Sequence, residues 1–251
     1  MPFIVLFFLP ATGNAQKFSL GVKGGVSVTS AYFPDKDFRR QFGSRPKLGY
    51  TAGGLIAFPL KKDFSFLTEV AYTQKGRRVM INESAWENNA TYRFIDFSMA
   101  LRKSYVTGII KNVKSHWFFN VGPNIEYWIS GKGKIITGGP GAEYTVVFDK
   151  APDSNFNNNY LNGANRWLFG LDLGVGFDAP ITKQKRVNVE LRFTWGQTFL
   201  GKKNSTSSLE ILGFEDNLRS NLKTLTLTAA YTLDLDLRDA KKGKSVKDHK
   251  R

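Results

Sequence analysis

The segment Arg166 to Asp178, RWLFGLDLGVGFD, constrains the fold of this chain more than any other. Trp167, Phe169, Leu171, Leu173, Val175 and Phe177 take every second position, and Gly170, Asp172, Gly174, Gly176 and Asp178 fill the gaps. A side-chain period of two is that of a β-strand, here with one face wholly apolar and the other made of glycine and carboxylate. Such a strand suits either a soluble sandwich or a membrane barrel. In the sandwich the apolar face meets a second apolar sheet; in the barrel it meets lipid while the charged face lines a lumen.

Seven further segments repeat the pattern. They centre on Phe18 to Thr29, Lys47 to Leu60, Phe64 to Lys75, Ile95 to Arg102, His116 to Ser130, Val187 to Gly196 and Leu225 to Leu237. Lengths near the ~9–11 residues of a tilted membrane strand follow for most of them. The connections run long, short, long, intermediate, long, short, long. The long ones are Tyr32 to Arg45, Gly76 to Ala90, Gly131 to Asn165 and Gln197 to Leu222, and the short ones include Lys61 to Asp63 and Thr182 to Arg186. All long connections therefore fall at one end, the asymmetry of outer-membrane barrels, and an even strand count returns both termini to the other end. A soluble immunoglobulin-like sandwich has shorter strands and no such asymmetry.

No internal stretch approaches the roughly 20 consecutive apolar residues of a membrane helix. Cysteine is absent, which removes disulfides, thiolate metal sites and thiol nucleophiles. The formal charge of +15 raises nucleic acid or an anionic surface as partners. Its distribution argues against nucleic acid: Arg238 to Arg251 holds seven basic and two acidic residues, and Lys61, Lys62, Arg77, Arg78, Lys111, Lys114, Lys183, Lys185, Lys202 and Lys203 fall in connections or at their edges. At the other terminus a short apolar run from Phe3 to Leu9 precedes Pro10 and small residues. Gly13 and Ala15 fit the −3 and −1 positions of a signal-peptidase site. The chain thus reads as all-β, an eight-stranded antiparallel up-and-down transmembrane β-barrel over 16–237, with a signal peptide at 1–15 and a basic tail at 238–251.

With the apolar faces toward lipid, the lumen receives Lys23, Arg102 and Arg192 against Glu69, Asp96, Glu126, Asp172, Glu190 and Asp234. Eight strands leave an interior barely wide enough for side chains. Buried charges persist only when paired or hydrated, so a salt-bridged plug is expected in place of an open pore. A lipocalin would reverse this polarity, with an apolar interior. Trp117, Tyr127, Trp167, Trp195 and Tyr231 are expected on the outer face, as girdles at the interfaces.

The segments KFSLGVKGGVSVTS, YRFIDFSMALRKS, WFFNVGPNIEY with its Gly122-Pro123, FGLDLGVGF and LTLTAAYTL resemble the PorT-like outer-membrane β-barrel family of Bacteroidetes-type bacteria. The resemblance spans nearly the entire mature chain and implies a Gram-negative outer-membrane location. The basic tail departs from barrels that end on an aromatic residue recognised during assembly; either that signal does not apply to this chain or it lies inward, at Tyr231. The family's founding member is linked to secretion and gliding, while most members have no assigned activity.

Catalytic chemistry has few candidates. His116 is the one histidine in the body of the chain, with Ser115 and Ser98 as conceivable partners for a lipid-modifying hydrolase or acyltransferase. It falls near the turn end of its strand, whereas such enzymes are expected to work near the outer leaflet, so an interfacial or lumen histidine is the expectation. Asp153, Asn155 and Asn157 open like a calcium loop, but Asn158 and Ala164 stand where glycine and glutamate are needed. Gly170, Gly174 and Gly176 precede no helix and form no dinucleotide fingerprint. The expected role is non-enzymatic, structural, adhesive or accessory to secretion, with no catalytic, cofactor or metal residues. The expected partners are outer-membrane lipid and lipopolysaccharide, with envelope or secretion-system proteins at the loops. A lipid A-modifying barrel enzyme and a narrow channel are the alternatives.

Overall fold

The computed structural model describes residues 17–61, 63–81, 86–107, 115–151, 157–209 and 218–236. The expected signal peptide and basic tail lie outside them, as do Ile109, Ile110 and most of the Asp153 segment. The elements in chain order are β1 (Lys17–Tyr32), α1 (Lys36–Gln41), β2 (Phe42–Arg45), β3 (Lys47–Pro59), β4 (Phe64–Ile81), β5 (Trp86–Thr107), β6 (Ser115–Thr137), β7 (Ala142–Phe148), β8 (Asn158–Ala164), β9 (Trp167–Pro180), β10 (Lys185–Gly196), β11 (Gly201–Ser207) and β12 (Asn221–Asp236).

Eight of these strands close a ring in the order β1, β3, β4, β5, β6, β9, β10, β12 and back to β1. Every pairing in the ring is antiparallel. Ring neighbours are consecutive in sequence except that β2 intervenes between β1 and β3, β7 and β8 between β6 and β9, and β11 between β10 and β12. This is the eight-stranded up-and-down barrel the alternation requires.

The long connections differ from the expected loops. Gly76 to Ala90 is mostly wall: β4 runs on to Ile81, β5 begins at Trp86, and the two stay in register from Phe64↔Lys103 to Met80↔Glu87. β6 extends through Gly131 to Thr137, so Arg77, Arg78, Lys132 and Lys134 stand on strands instead of in solvated turns. Beyond the ring, β2 pairs with β4, β7 with β6, β8 runs parallel to β7, and β11 pairs with β8. Within the first long connection Asp35 caps α1, its carboxylate accepting from the Asp37 and Phe38 amides. That short helix sets the Phe38 ring on Phe42 at 4.0 Å and beside Phe33 at 4.7 Å.

Polarity follows the wall. Over the lower part, outward residues are apolar: Val22, Val26, Val70, Phe97, Phe119, Phe169, Leu173, Leu191 and Leu227 are all exposed. Trp117 packs on Phe177 at 5.3 Å near the turn end, and Tyr127 on Trp167 at 4.8 Å toward the other end. The ten residue steps from Trp117 to Tyr127 span about 34 Å along the strand. At a tilt near 40° this is about 26 Å of height, matching the ~25 Å apolar band of a membrane barrel.

Above that level the pattern inverts. On β5 the outward residues change from Ile95, Phe97, Met99 and Leu101 to Arg93, Thr91, Asn89 and Glu87. The inward ones change from Asp96, Ser98 and Arg102 to Phe94, Tyr92 and Ala90, all three buried. A bulge in the β5–β6 ladder between Arg93 and Phe94 marks the same height. It resets β6, so that Lys132 and Lys134 point out while Gly131, Gly133 and Ile135 point in. Lipid contacts the wall only below this level. Above it water does, so the wall reverts to the soluble arrangement of polar outside and apolar inside. The enclosed core joins Trp128, Phe94, Tyr92, Phe33, Phe38, Phe42, Val79, Tyr144, Leu161, Leu200 and Leu222. We call this upper part the head.

Candidate functional site

Alternation places Lys23, Glu69, Lys75, Asp96, Glu126, Asp172, Glu190 and Arg192 on the inner face of six different strands. Arg192 is the hub. Its guanidinium donates to both Glu69 oxygens at 2.7 and 2.9 Å, to both Glu190 oxygens at 2.7 and 3.0 Å, and to Asp172 at 3.4 Å. β10 and β4 stand opposite each other in the ring, so the Arg192–Glu69 pair bridges the full width of the lumen. Lys23 adds a second cation to Glu69 at 2.5 Å.

A second cluster sits beside the first. Lys75 reaches Glu126 at 2.5 Å and Asp96 at 3.7 Å, and Thr73 donates to Asp96 at 2.8 Å. Asp172 accepts from Ser98 and Thr194 at 2.8 and 2.7 Å. Arg102 lies over the Phe118 ring at 3.7 Å and faces Glu190 at 3.9 Å. The space remaining among these groups is about 30 Å³, room for one or two water molecules.

Two glycines of the Arg166 to Asp178 segment make the packing possible. A Cβ at Gly176 would fall 2.3 Å from the Phe118 ring, and one at Gly174 would fall 2.5 Å from a Glu190 carboxylate oxygen. Their absent side chains are the space into which the plug residues fit.

Lys23, Arg102, Arg192, Glu69, Asp96, Glu126, Asp172 and Glu190 all join this network. Asp234 lies lower and accepts from Ser19 at 2.5 Å, near the turn end. Two further cations, Lys75 and Arg77, fall outside the lumen set expected from the sequence. Lys75 continues the phase of Glu69 and Thr73. Arg77 continues it one step further, fully buried, donating to the Tyr92 hydroxyl at 3.0 Å and to Ser220 at 3.4 Å. Lys75 already lies on the polar phase of the Phe64 to Lys75 segment, and extending that phase one step past Gly76 reaches Arg77.

The serine–histidine candidates are not brought together. His116 Nδ1 lies 3.2 Å from Arg186, which itself pairs with Asp178. Ser115 donates to the Thr107 carbonyl and Ser98 to Asp172.

On the head, Arg78 pairs with Glu87 through two hydrogen bonds of 2.6 and 2.8 Å, which raise the arginine pKa above its ordinary value. Burial pushes the Tyr144 phenol upward as well; its hydroxyl donates to Asn88 at 2.7 Å within the core.

Comparison with known proteins places this architecture among outer-membrane barrels. Residues 14–198 match the outer membrane protein beta-barrel domain family. The chain is similar to OprG, an outer membrane protein of Pseudomonas aeruginosa, with 12% identity and a TM-score of 0.52 over 88% of this chain and 97% of that one. It also aligns with Neisserial surface protein A at 10% identity and a TM-score of 0.41, covering 85% and 96%. No curated protein matches the chain.

Proposed function

The chain belongs to the outer membrane protein beta-barrel domain family and resides in the outer membrane; from that premise we propose that it is a closed, non-enzymatic envelope barrel acting through its head. The observation that carries this reading is the Arg192–Glu69 bridge across the lumen, with about 30 Å³ left around it. A conducting pore needs a continuous wet path. Here ion pairs fill the level of the membrane, and the apolar core around Trp128 fills the level above. Loss of either would expose buried charge or apolar surface at a cost of several kcal/mol.

The non-enzymatic part is supported by the positions of the candidate nucleophiles, which serve neighbouring carbonyl and carboxylate acceptors. The role that remains is structural, adhesive or accessory to secretion, exercised by β2, β7, β8, β11 and α1 on the cell exterior. Within the family we place the chain among the PorT-like barrels, on the segments YRFIDFSMALRKS, WFFNVGPNIEY and FGLDLGVGF.

Planar-bilayer recording with the folded protein tests the closed lumen, and no unitary conductance above the bare bilayer is the expected result. Reproducible ohmic channels would overturn it. Crosslinking in intact envelopes followed by pull-down tests the accessory role, with captured envelope proteins expected to crosslink to the head and not to the turn end.

A further inference from the structure

The outer wall of the head carries a polar cavity of about 520 Å³, within the ~300–1,000 Å³ range of small-ligand sites. Three lysines line it, Lys47, Lys132 and Lys134, together with Asn89, Thr91 and Thr145. Glu143 is the one carboxylate among its lining residues. Strand register builds the patch. Lys132 stands between Thr91 and Thr145, Lys134 between Asn89 and Glu143, and the Lys47 ammonium donates to the Asn89 carbonyl oxygen from the side.

Height identifies what can reach it. Lys132 follows the exposed Ile129 by three residues, about 10 Å along the strand and about 8 Å of height at the barrel tilt. The headgroup layer on each side of a bilayer is about 5–8 Å deep. Below the cavity on β5 come exposed Arg93 and then the apolar Ile95 and Phe97. A molecule with acyl chains against that lower wall would present its polar head to the three lysines.

The cavity is also short of negative charge. Burial, followed by the nearby Arg78 and Lys132 charges, holds the Lys47 ammonium below the ordinary lysine pKa, with Glu87 acting only partly against them. An anion between the lysines relieves that repulsion.

We propose that this cavity is a binding site for the phosphate-bearing headgroup of an outer-leaflet glycolipid, held by Lys47, Lys132 and Lys134. The proposal rests on the outer-membrane reading above and adds a site to it.

The test uses the full chain folded in detergent micelles, with binding read by native mass spectrometry. Bisphosphorylated lipid A, the same lipid dephosphorylated, and inorganic phosphate are the three probes. Lipid A is expected to bind at least about tenfold more tightly than its dephosphorylated form, the scale of a single charge-assisted hydrogen bond. The double variant Lys132→Gln, Lys134→Gln is expected to lose about tenfold or more. Glu143→Gln is expected to tighten binding about two- to fivefold, a gain that a merely structural role for this residue would not produce. If the double variant fails to fold, Lys132→Gln alone, at an exposed position, still has to weaken binding about threefold or more.

Equal binding of both lipids, unchanged affinity in the lysine variants, or weakened binding in Glu143→Gln overturns the site. Displacement of lipid A by equimolar inorganic phosphate would reassign the cavity to free phosphate and overturn the glycolipid. Heat-modifiable gel mobility and outer-membrane fractionation are measured on the wild-type chain in parallel. Their failure would sink the membrane reading itself, whereas failure of binding alone sinks only the site.

Discussion

Replacing Arg192 with methionine keeps most of the side-chain volume and removes the charge at the centre of the plug. Around that position Lys23, Arg102 and Arg192 face Glu69, Asp172 and Glu190. The substitution leaves three carboxylates to two cations. Glu190 suffers most, because both its short contacts are to Arg192 and its other cation, Arg102, stands 3.9 Å away. Glu69 keeps Lys23, and Asp172 keeps its Ser98 and Thr194 donors. Removing one member of a buried ion pair costs about 3–5 kcal/mol, most of it the penalty of the stranded charge. Arg192→Met is therefore expected to lower stability by that amount, and adding Glu190→Gln is expected to recover about half by removing the orphan. The assay is urea unfolding of the micelle-folded protein, followed by tryptophan fluorescence and by gel mobility. A single-variant loss under about 1 kcal/mol would refute a dry network, since well-hydrated ion pairs are worth no more than that. A double variant no more stable than the single would refute the assignment of Glu190 as the stranded partner.

Three further outcomes follow from the packing. Leu173→Arg puts a cation on the lipid-facing wall near the middle of the apolar band, and should cost about 2–4 kcal/mol in unfolding or abolish insertion into vesicles. Gly176→Ala forces a Cβ against the Phe118 ring and 2.5 Å from the Val189 carbonyl oxygen; about 1–3 kcal/mol of destabilisation is expected, partly relieved by Phe118→Leu. Trp128→Ala empties the centre of the head, where Tyr92, Phe94 and Phe148 all contact the indole, and should cost about 3–5 kcal/mol by the same unfolding measurement.

Within the membrane band the fold was legible because each strand there meets a different medium on each face. Lipid selects Phe97, Phe119 and Leu173 outward, and the crowded lumen selects Asp96, Asn120 and Asp172 inward, so a period of two is visible in composition alone. The head was not legible for the same reason taken further. Above Arg93 water replaces lipid, the apolar residues move to the other phase, and Gly76 to Ala90 reads as a polar connection although the period-two phase of β4 runs on to Ile81 and that of β5 starts at Trp86. Val79 sits on the inward phase that Glu69 sets on β4, and Ala90 and Tyr92 on the one that Asp96 sets on β5. Likewise, Arg77 was hidden because it lies past Gly76 in a stretch whose polar composition masks its phase, and the Ile129 bulge shifts β6 by one residue in a way that no propensity marks. The cavity of Lys47, Lys132 and Lys134 depends on strands distant in sequence, and only the register assembles it.

The reversal of polarity along the wall also fixes how the barrel can move. Sliding inward by two residues would carry Arg93 and Lys132 toward the hydrocarbon, where a charge costs up to about 2–4 kcal/mol as it approaches the midplane. Sliding outward by the same amount would lift Ile95 and Ile129 into water and bring the lower rim charges, Lys17 and Asp236, into the bilayer. Depth is thus written into the strands as a two-sided stop. With the aromatic core closed around Trp128, withdrawing the barrel would carry the charged outer wall of the head into hydrocarbon, so the pattern that sets depth also opposes withdrawal.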